Sequence, residues 1–405
     1  MKSIQRPIRL RLAVQCFGDA RRSGSVFVLS AMLLVLVFAF AAFSIDLGYL
    51  TLARTELQNS ADAAVMAATI ELGEGLGGAP ALTAQGVETA AKQAAVATAA
   101  ANSAGGVNAV YVDGARDVRL GKYQWDSNTN SWEKQWGVAP YNLVEVTLRR
   151  DQVASTNGDG PLGLFFAPLI GNKDANLVVT STSAVLPGTG IRIEQGSSRN
   201  ADILPIALDQ QSWDALIAGA GTDTVRYDAT TGAVTSGSDG VKEVNVYPTG
   251  SPNLPPGNRG TVDIQAVGAN GKANNSTADL GNQIRYGVTP EDFHGAFGNE
   301  LDFSNGPVIL NGDTGMSNGI EDDLISIIGQ TRLLPIFSQV SGNGNNANYT
   351  IVKMVGVRVM AVNLRGKPQN RYVKVQPATF ISDIVVPGNV TVTTDSYFAP
   401  AGLIR

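Results

Sequence analysis

The hydrophobic pattern changes character three times along the chain. Over residues 23–45 (SGSVFVLSAMLLVLVFAFAAFSI) it is unbroken, bounded by Arg22 and Asp46. At about 1.5 Å per helical residue this run reaches across the roughly 30 Å hydrocarbon core of a bilayer, so it predicts a membrane span. Over residues 46–72 it becomes periodic. Leu50, Ala53, Leu57, Ala61, Ala64, Ala68 and Leu72 recur at spacings of three and four, while Thr51, Thr55, Gln58, Asn59 and Asp62 fall elsewhere on the wheel. Joined to the span, this predicts one helix of about fifty residues, on the order of 70 Å long. The small side chains of Ala61, Ala64 and Ala68 leave room for another helix. Leu50, Leu57, Ala61, Ala64, Ala68 and Leu72 are therefore a candidate helix-assembly surface; the alternative is that the stripe packs on the chain's own domain.

The third pattern is strand-like. Residues 73–80 form a Gly-rich break and 81–103 an Ala-rich helix ended by Gly105 and Gly106, after which 107–112, 118–125, 143–148 and 177–186 read as strands. In 143–148 Val144, Val146 and Leu148 alternate with Glu145, Thr147 and Arg149. Residues 209–218, 289–297 and 318–328 are helix candidates within a Gly-, Asn- and Pro-rich second half, and 349–384 reads as strands again. The expected class is α+β. The expected organisation is a basic segment (1–22), the span (23–45), its amphipathic extension (46–72), an α+β unit (73–187), a linker (188–201) and a β-rich region (202–405).

Charge fixes an orientation. Lys2, Arg6, Arg9, Arg11, Arg21 and Arg22 precede the span against Asp19 alone, and the rest of this chain of net charge -5 is acidic. Arg21, Arg22 and Asp46 are the expected membrane boundary, with the N-terminus cytoplasmic, membrane lipid around the span and the bulk of the chain extracytoplasmic. A cleaved signal peptide is the competing reading, since Ala39-Phe40-Ala41 has the small-residue spacing of a cleavage site. The acidic remainder has no basic stripe with interleaved aromatics, which argues against nucleic acid as a partner.

Candidate chemistry is sparse. One His and one Cys (Cys16, ahead of the span) exclude disulfide scaffolds and zinc ribbons. Gly73-Glu74-Gly75-Leu76-Gly77-Gly78 has dinucleotide-loop spacing but follows a helix rather than a strand. Gly315-Met316-Ser317-Asn318-Gly319 has nucleophile-elbow spacing, yet His294 precedes the serine, so a turn that starts a helix is expected. Asp126-Ser127-Asn128-Thr129-Asn130 imitates the start of a calcium loop without its glycine or its closing Glu and reads as a hairpin turn. Asp313, Glu321, Asp322 and Asp323 could gather a cation, but a helix N-terminus explains them equally. No cofactor, metal or catalytic residue is assigned.

Arg22-Ser23-Gly24-Ser25, Ser44-Ile45-Asp46-Leu47-Gly48-Tyr49, Arg54, Glu56-Leu57-Gln58 and Ala61-Asp62-Ala63-Ala64-Val65-Met66-Ala67-Ala68 together resemble the N-terminal segment of TadE/TadG-like Flp pilus-assembly proteins. The resemblance covers residues 21–72. A weaker one continues to about residue 187 through Gly121-Lys122-Tyr123 and the run Pro161-Leu162-Gly163-Leu164-Phe165-Phe166-Ala167-Pro168-Leu169-Ile170-Gly171. It implies a non-enzymatic, membrane-anchored assembly component of a bacterial Tad/Flp-type pilus in the inner membrane, with pilus-assembly proteins or its own copies as partners. Two features depart from the wider family. The von Willebrand A metal string D-x-S-x-S is replaced at best by Asp313-Thr314-Gly315-Met316-Ser317, and processing after Gly24 would require Glu where Leu29 stands. An extracytoplasmic binding or adhesive protein that uses the helix only as anchor and stalk is the alternative function, and a hydrolase around Ser317 is the third.

Overall fold

The computed structural model describes residues 23–76, 84–247, 259–264, 276–342, 344–393 and 395–404. One helix, α1 (Ser23–Leu76), runs without interruption from the apolar run through the periodic stripe. It continues one turn past Leu72, through Gly73 and Gly75, where neighbours approach closely; the remainder of the expected Gly-rich break, residues 77–80, lies outside the described residues. A Cβ on Gly73 would stand 2.8 Å from Ile381 Cδ1, and one on Gly75 would stand 2.8 Å from Val87 Cγ2. The second helix, α2 (Ala84–Ala100), packs along the lower half of α1.

Both helices share a core with a five-stranded antiparallel sheet. Its strands run in the order 402–403, 177–184, β3 (Leu143–Arg150), β1 (Val118–Asp126), β2 (Ser131–Trp136). The alternation in β3 is realised: Val144, Val146 and Leu148 are buried with α1 and α2. On the other face Arg119 pairs with Glu145 and Thr147 bonds Thr180 across strands. Asp126 accepts from the backbone N–H of Asn128 at 2.8 Å and so organises the β1–β2 turn. Residues 107–112 are not a strand; Val110 and Val112 are buried in this core without a ladder partner along the run.

The second half is built on a seven-stranded sheet whose central strand, Ala347–Asn363, pairs on one edge with Val308–Asp313 and Tyr372–Pro377 and on the other with Thr331–Ser341. In Thr331–Ser341, six consecutive residues from Arg332 to Phe337 are buried. Leu333 and Phe337 enter one core, Leu334 and Ile336 the other, so this sheet is covered on both faces and strict alternation is lost. The helix candidates near 209 and 289 appear as α3 (Gln210–Ile217) and α5 (Pro290–Phe297), capped by Asp209 and Thr289. A helix the pattern did not reveal, α4 (Thr277–Tyr286), is capped by Ser276. At 318–328 a 3₁₀ turn, Asn318–Ile320, leads into the short α6 (Glu321–Ile325). The whole is mixed α+β with a β-rich C-terminal region.

Two boundaries differ from expectation. Residues 188–201 are not a free linker: Gly188–Arg192 is the middle strand of a three-stranded sheet, between Glu300–Asp302 and Val385–Pro387, and Ile191 is fully buried. Nor does the region 202–405 stand apart. Val392 and Phe398 fill the first core, Gly402–Leu403 pairs with Ser183 and Ala184, and Thr379 Oγ1 donates to Glu74 O at 3.0 Å. The chain's end therefore returns to close the sheet on which α1 lies.

Candidate functional surface at the helix exit

From Val26 to Ile45 the large apolar side chains of α1 are open: Phe27, Leu33, Phe38 and Phe43 are each more than 60% exposed. A segment of this length and composition can cross a membrane. Arg21 and Arg22, the predicted cytoplasmic boundary, lie outside the described residues.

Asp46, the predicted outer boundary, does more than end the apolar run. Its carboxylate is buried and accepts from three consecutive backbone N–H groups of a distant loop: Phe165 at 2.8 Å, Phe166 at 3.0 Å and Ala167 at 2.7 Å. Burial alone would push this carboxyl up, but the three donors outweigh it and hold the group below the ordinary 3.8. Three residues further along α1, Tyr49 meets the Phe165 ring edge-to-face at 5.1 Å between centroids. The helix exit is thus latched to the loop following β3.

That loop is a closed hairpin tip. Leu162–Gly163 pairs with Asp174–Ala175, Leu164 N–H donates to Lys173 O at 3.1 Å, and the tip holds the 3₁₀ turn Ala167–Ile170. Gly171 ends the turn at φ 98°, a left-handed conformation that favours glycine. A second set of contacts fixes the ground next to it. Arg150 donates to Gly105 O and Gly160 O, both at 2.7 Å, and Glu56 Oε2 accepts from Gly105 N–H at 2.9 Å. Asp117 and Asp159 share Arg116, which joins the residue 151–160 loop to the start of β1.

Below the exit the stripe is not an open surface. Leu57, Ala61, Ala64, Ala68 and Leu72 are fully buried, with Ala91, Ala95 and Ala99 of α2 and Val144, Val146 and Val179 of the sheet in the same core. Leu50, one turn below Asp46, is half-buried. The small residues do permit close helix packing, but the helix that uses them is α2 of the same chain. For Leu57, Ala61, Ala64, Ala68 and Leu72 the burial favours the intrachain reading of the stripe, since a side chain with no accessible area in this fold meets its own chain; Leu50 keeps accessible area.

The remaining candidates resolve into local structure. Ser317 caps the 3₁₀ turn by accepting from Gly319 N–H at 3.2 Å, and His294 Nδ1 bonds Asn299 Oδ1 at 3.0 Å. Arg365 pairs with Glu321 and Asp322, and Arg285 with Asp323. Among the described residues no group of three or more His, Cys, Asp or Glu side chains could hold a metal. The hairpin tip around Phe165 lies in the Pro161–Gly171 run that carried the weaker family resemblance, but periodicity alone assigned it no element. Its sequence signal was present as a short apolar run with proline between two glycines, in neither helical nor strand period.

No curated protein and no solved structure matches the chain. Residues 77–183 match the family model described as "Putative Tad-like Flp pilus-assembly". The matched segment begins directly after α1 and contains α2, β1, β2, β3, the hairpin tip and nearly all of strand Leu177–Ala184. Over these residues, about a quarter of the chain, the protein is similar to Tad-like Flp pilus-assembly proteins.

Proposed function

We propose that the protein is a single-pass, membrane-anchored structural component of a Tad/Flp-type pilus-assembly machine in the bacterial inner membrane. One observation carries this reading: an exposed apolar helix of membrane-spanning length continues without a break into the core of the Tad-matched unit. Basic residues before the span and acidic residues after it favour a cytoplasmic N-terminus and an extracytoplasmic bulk. Its partners are membrane lipid and proteins of the pilus machinery. The chain works by holding and positioning rather than by catalysis, and Ser317 serves as a helix cap.

The test is genetic and topological. Cells lacking the protein should assemble no Flp pili, the full chain should restore them, and a chain without residues 23–45 should not. A reporter that is active only outside the cytoplasm should be active when fused after Arg405. Restoration by the span-less chain, or reporter activity confined to the cytoplasm, would overturn the anchored reading. Normal piliation in the deletion strain would favour a binding protein on a stalk. Ser317→Ala should leave piliation intact.

A further inference from the structure

We propose that the hairpin tip of residues 164–173 is a second membrane contact, a preorganised apolar wedge that sits in the lipid interface beside the span. This rests on the anchored reading of α1. Phe165 is 63% exposed, Phe166 38%, Leu169 84% and Ile170 77%. Four large apolar side chains within six residues are thus turned out of the fold. Elsewhere beyond α1, exposed large apolar side chains such as Ile217, Tyr286 and Ile309 stand singly. An exposed apolar cluster of this kind marks a surface that another phase or molecule covers.

Its position argues for lipid as that phase. Asp46 is the first charge after the apolar run, so it marks where the uncharged stretch of α1 ends, and exposed Leu47 and Leu52 carry apolar surface on past it beside the tip's attachment point. The tip is fastened to that residue by three backbone hydrogen bonds, and Phe165 packs on Tyr49, about 4.5 Å further along the helix. Interfacial elements bury their apolar faces about 5–10 Å into the headgroup and acyl boundary, a depth continuous with the lipid-facing side of α1 at this level. Lys173, exposed beside the cluster, suits anionic headgroups. Nothing about the tip requires lipid to shape it, because the Leu162–Gly163 pairing and the Asp46 latch hold its turn already.

The experiment uses the full chain with Cys16→Ser, reconstituted in vesicles of phosphatidylcholine and phosphatidylglycerol. Leu169→Cys, Leu36→Cys in the span and Ile309→Cys in the second half are each labelled with an environment-sensitive fluorophore and exposed to lipids spin-labelled near the head group or deep in the chain. The Leu169 label should be blue-shifted and quenched roughly twofold more by the headgroup-proximal spin label than by the deep one, with the Leu36 label showing the opposite preference. The Ile309 label, also on an exposed apolar residue, should be unaffected. A quenched Leu36 label with a water-like Leu169 label would leave the anchor standing and overturn the wedge. A blue-shifted Leu169 label that spin-labelled lipid does not quench would assign the tip to a protein partner and likewise overturn it. If the Leu36 label also escaped quenching, the anchored reading itself would fall.

Discussion

The upper and lower halves of α1 belong to one unbroken helix and meet opposite surroundings. Above Asp46 the side chains are mostly large, apolar and exposed; below it the inward stripe from Ala53 to Leu72 is rich in alanine and fully buried. Bulky side chains would suit the lipid neighbours proposed for the upper half, because chain ends fill the gaps between them. Alanine suits a helix that must approach α2 and a sheet closely, because backbone distance sets how much dispersion contact is gained. Composition along a helix therefore reports what touches it, and Asp46 marks the changeover.

The severest way to break this contrast is a charge on the buried stripe. Ala64→Glu should destabilise the N-terminal unit by about 4 kcal/mol or more, through overpacking and an unpaired buried carboxylate. Asn59→Glu, exposed on the same helix, should stay within about 0.5 kcal/mol. Thermal unfolding of the detergent-solubilised protein would show both, and equal melting temperatures for the two variants would mean the stripe is not packed as described. A matched truncation sharpens the point. Leu57→Ala should cost about 2–5 kcal/mol because a fully buried side chain leaves a cavity, whereas Leu36→Ala should barely change ectodomain unfolding. Comparable losses at the two positions would erase the distinction between the halves.

A site remote from α1 supplies a control. Asp263, mostly buried and close to the negative charges of Asp292 and Asp279, has its carboxyl pushed up to about 6 from the ordinary 3.8. The folded state then holds a proton that the unfolded state has released, so stability falls as pH rises from about 4 to 6. Asp263→Asn should raise stability at pH 7 by on the order of 1–2 kcal/mol and flatten that slope, with no effect on membrane retention. An unchanged slope in denaturant titrations would remove Asp263 as its source.

The smallest effect belongs to the changeover itself. Asp46→Ala should leave both halves helical but release the Phe165 loop, seen as faster proteolysis between residues 163 and 172. Because the Asp46 carboxyl is held below 3.8, its contribution is present above that pH and is lost as pH falls through its folded value. The loop of the unsubstituted protein should therefore become protease-sensitive only in strong acid. Equal cleavage with and without Asp46 at neutral pH would show that the latch does not hold the loop.

Much of the architecture was legible because it rests on local periodicity. The unbroken apolar run, the three-and-four spacing below it, the alternation in β3 and the Asp126 turn each depend on neighbours within a few residues. The Thr331–Ser341 strand and α4 were harder. Burial on both faces removes alternation from the first, and α4 is a ten-residue helix within a Gly- and Asn-rich region. The 188–201 segment read as a connector because strand Gly188–Arg192 draws its partners from residues 300–302 and 385–387.

By itself the sequence determined that a long apolar helix leads an α+β chain, that it has a basic and an acidic side, and that its lower half carries a stripe of small residues. Those properties follow from side-chain type and helical geometry alone. Only the tertiary structure decided what the stripe touches, since α2 and a partner's helix would ask for the same alanines. It also decided that Asp46 reaches a loop well over one hundred residues away, and that Phe165, Phe166, Leu169 and Ile170 end on the outside. A one-dimensional pattern records which residues avoid water, whereas the folded backbone fixes which of them find protein and which are left for something else to cover.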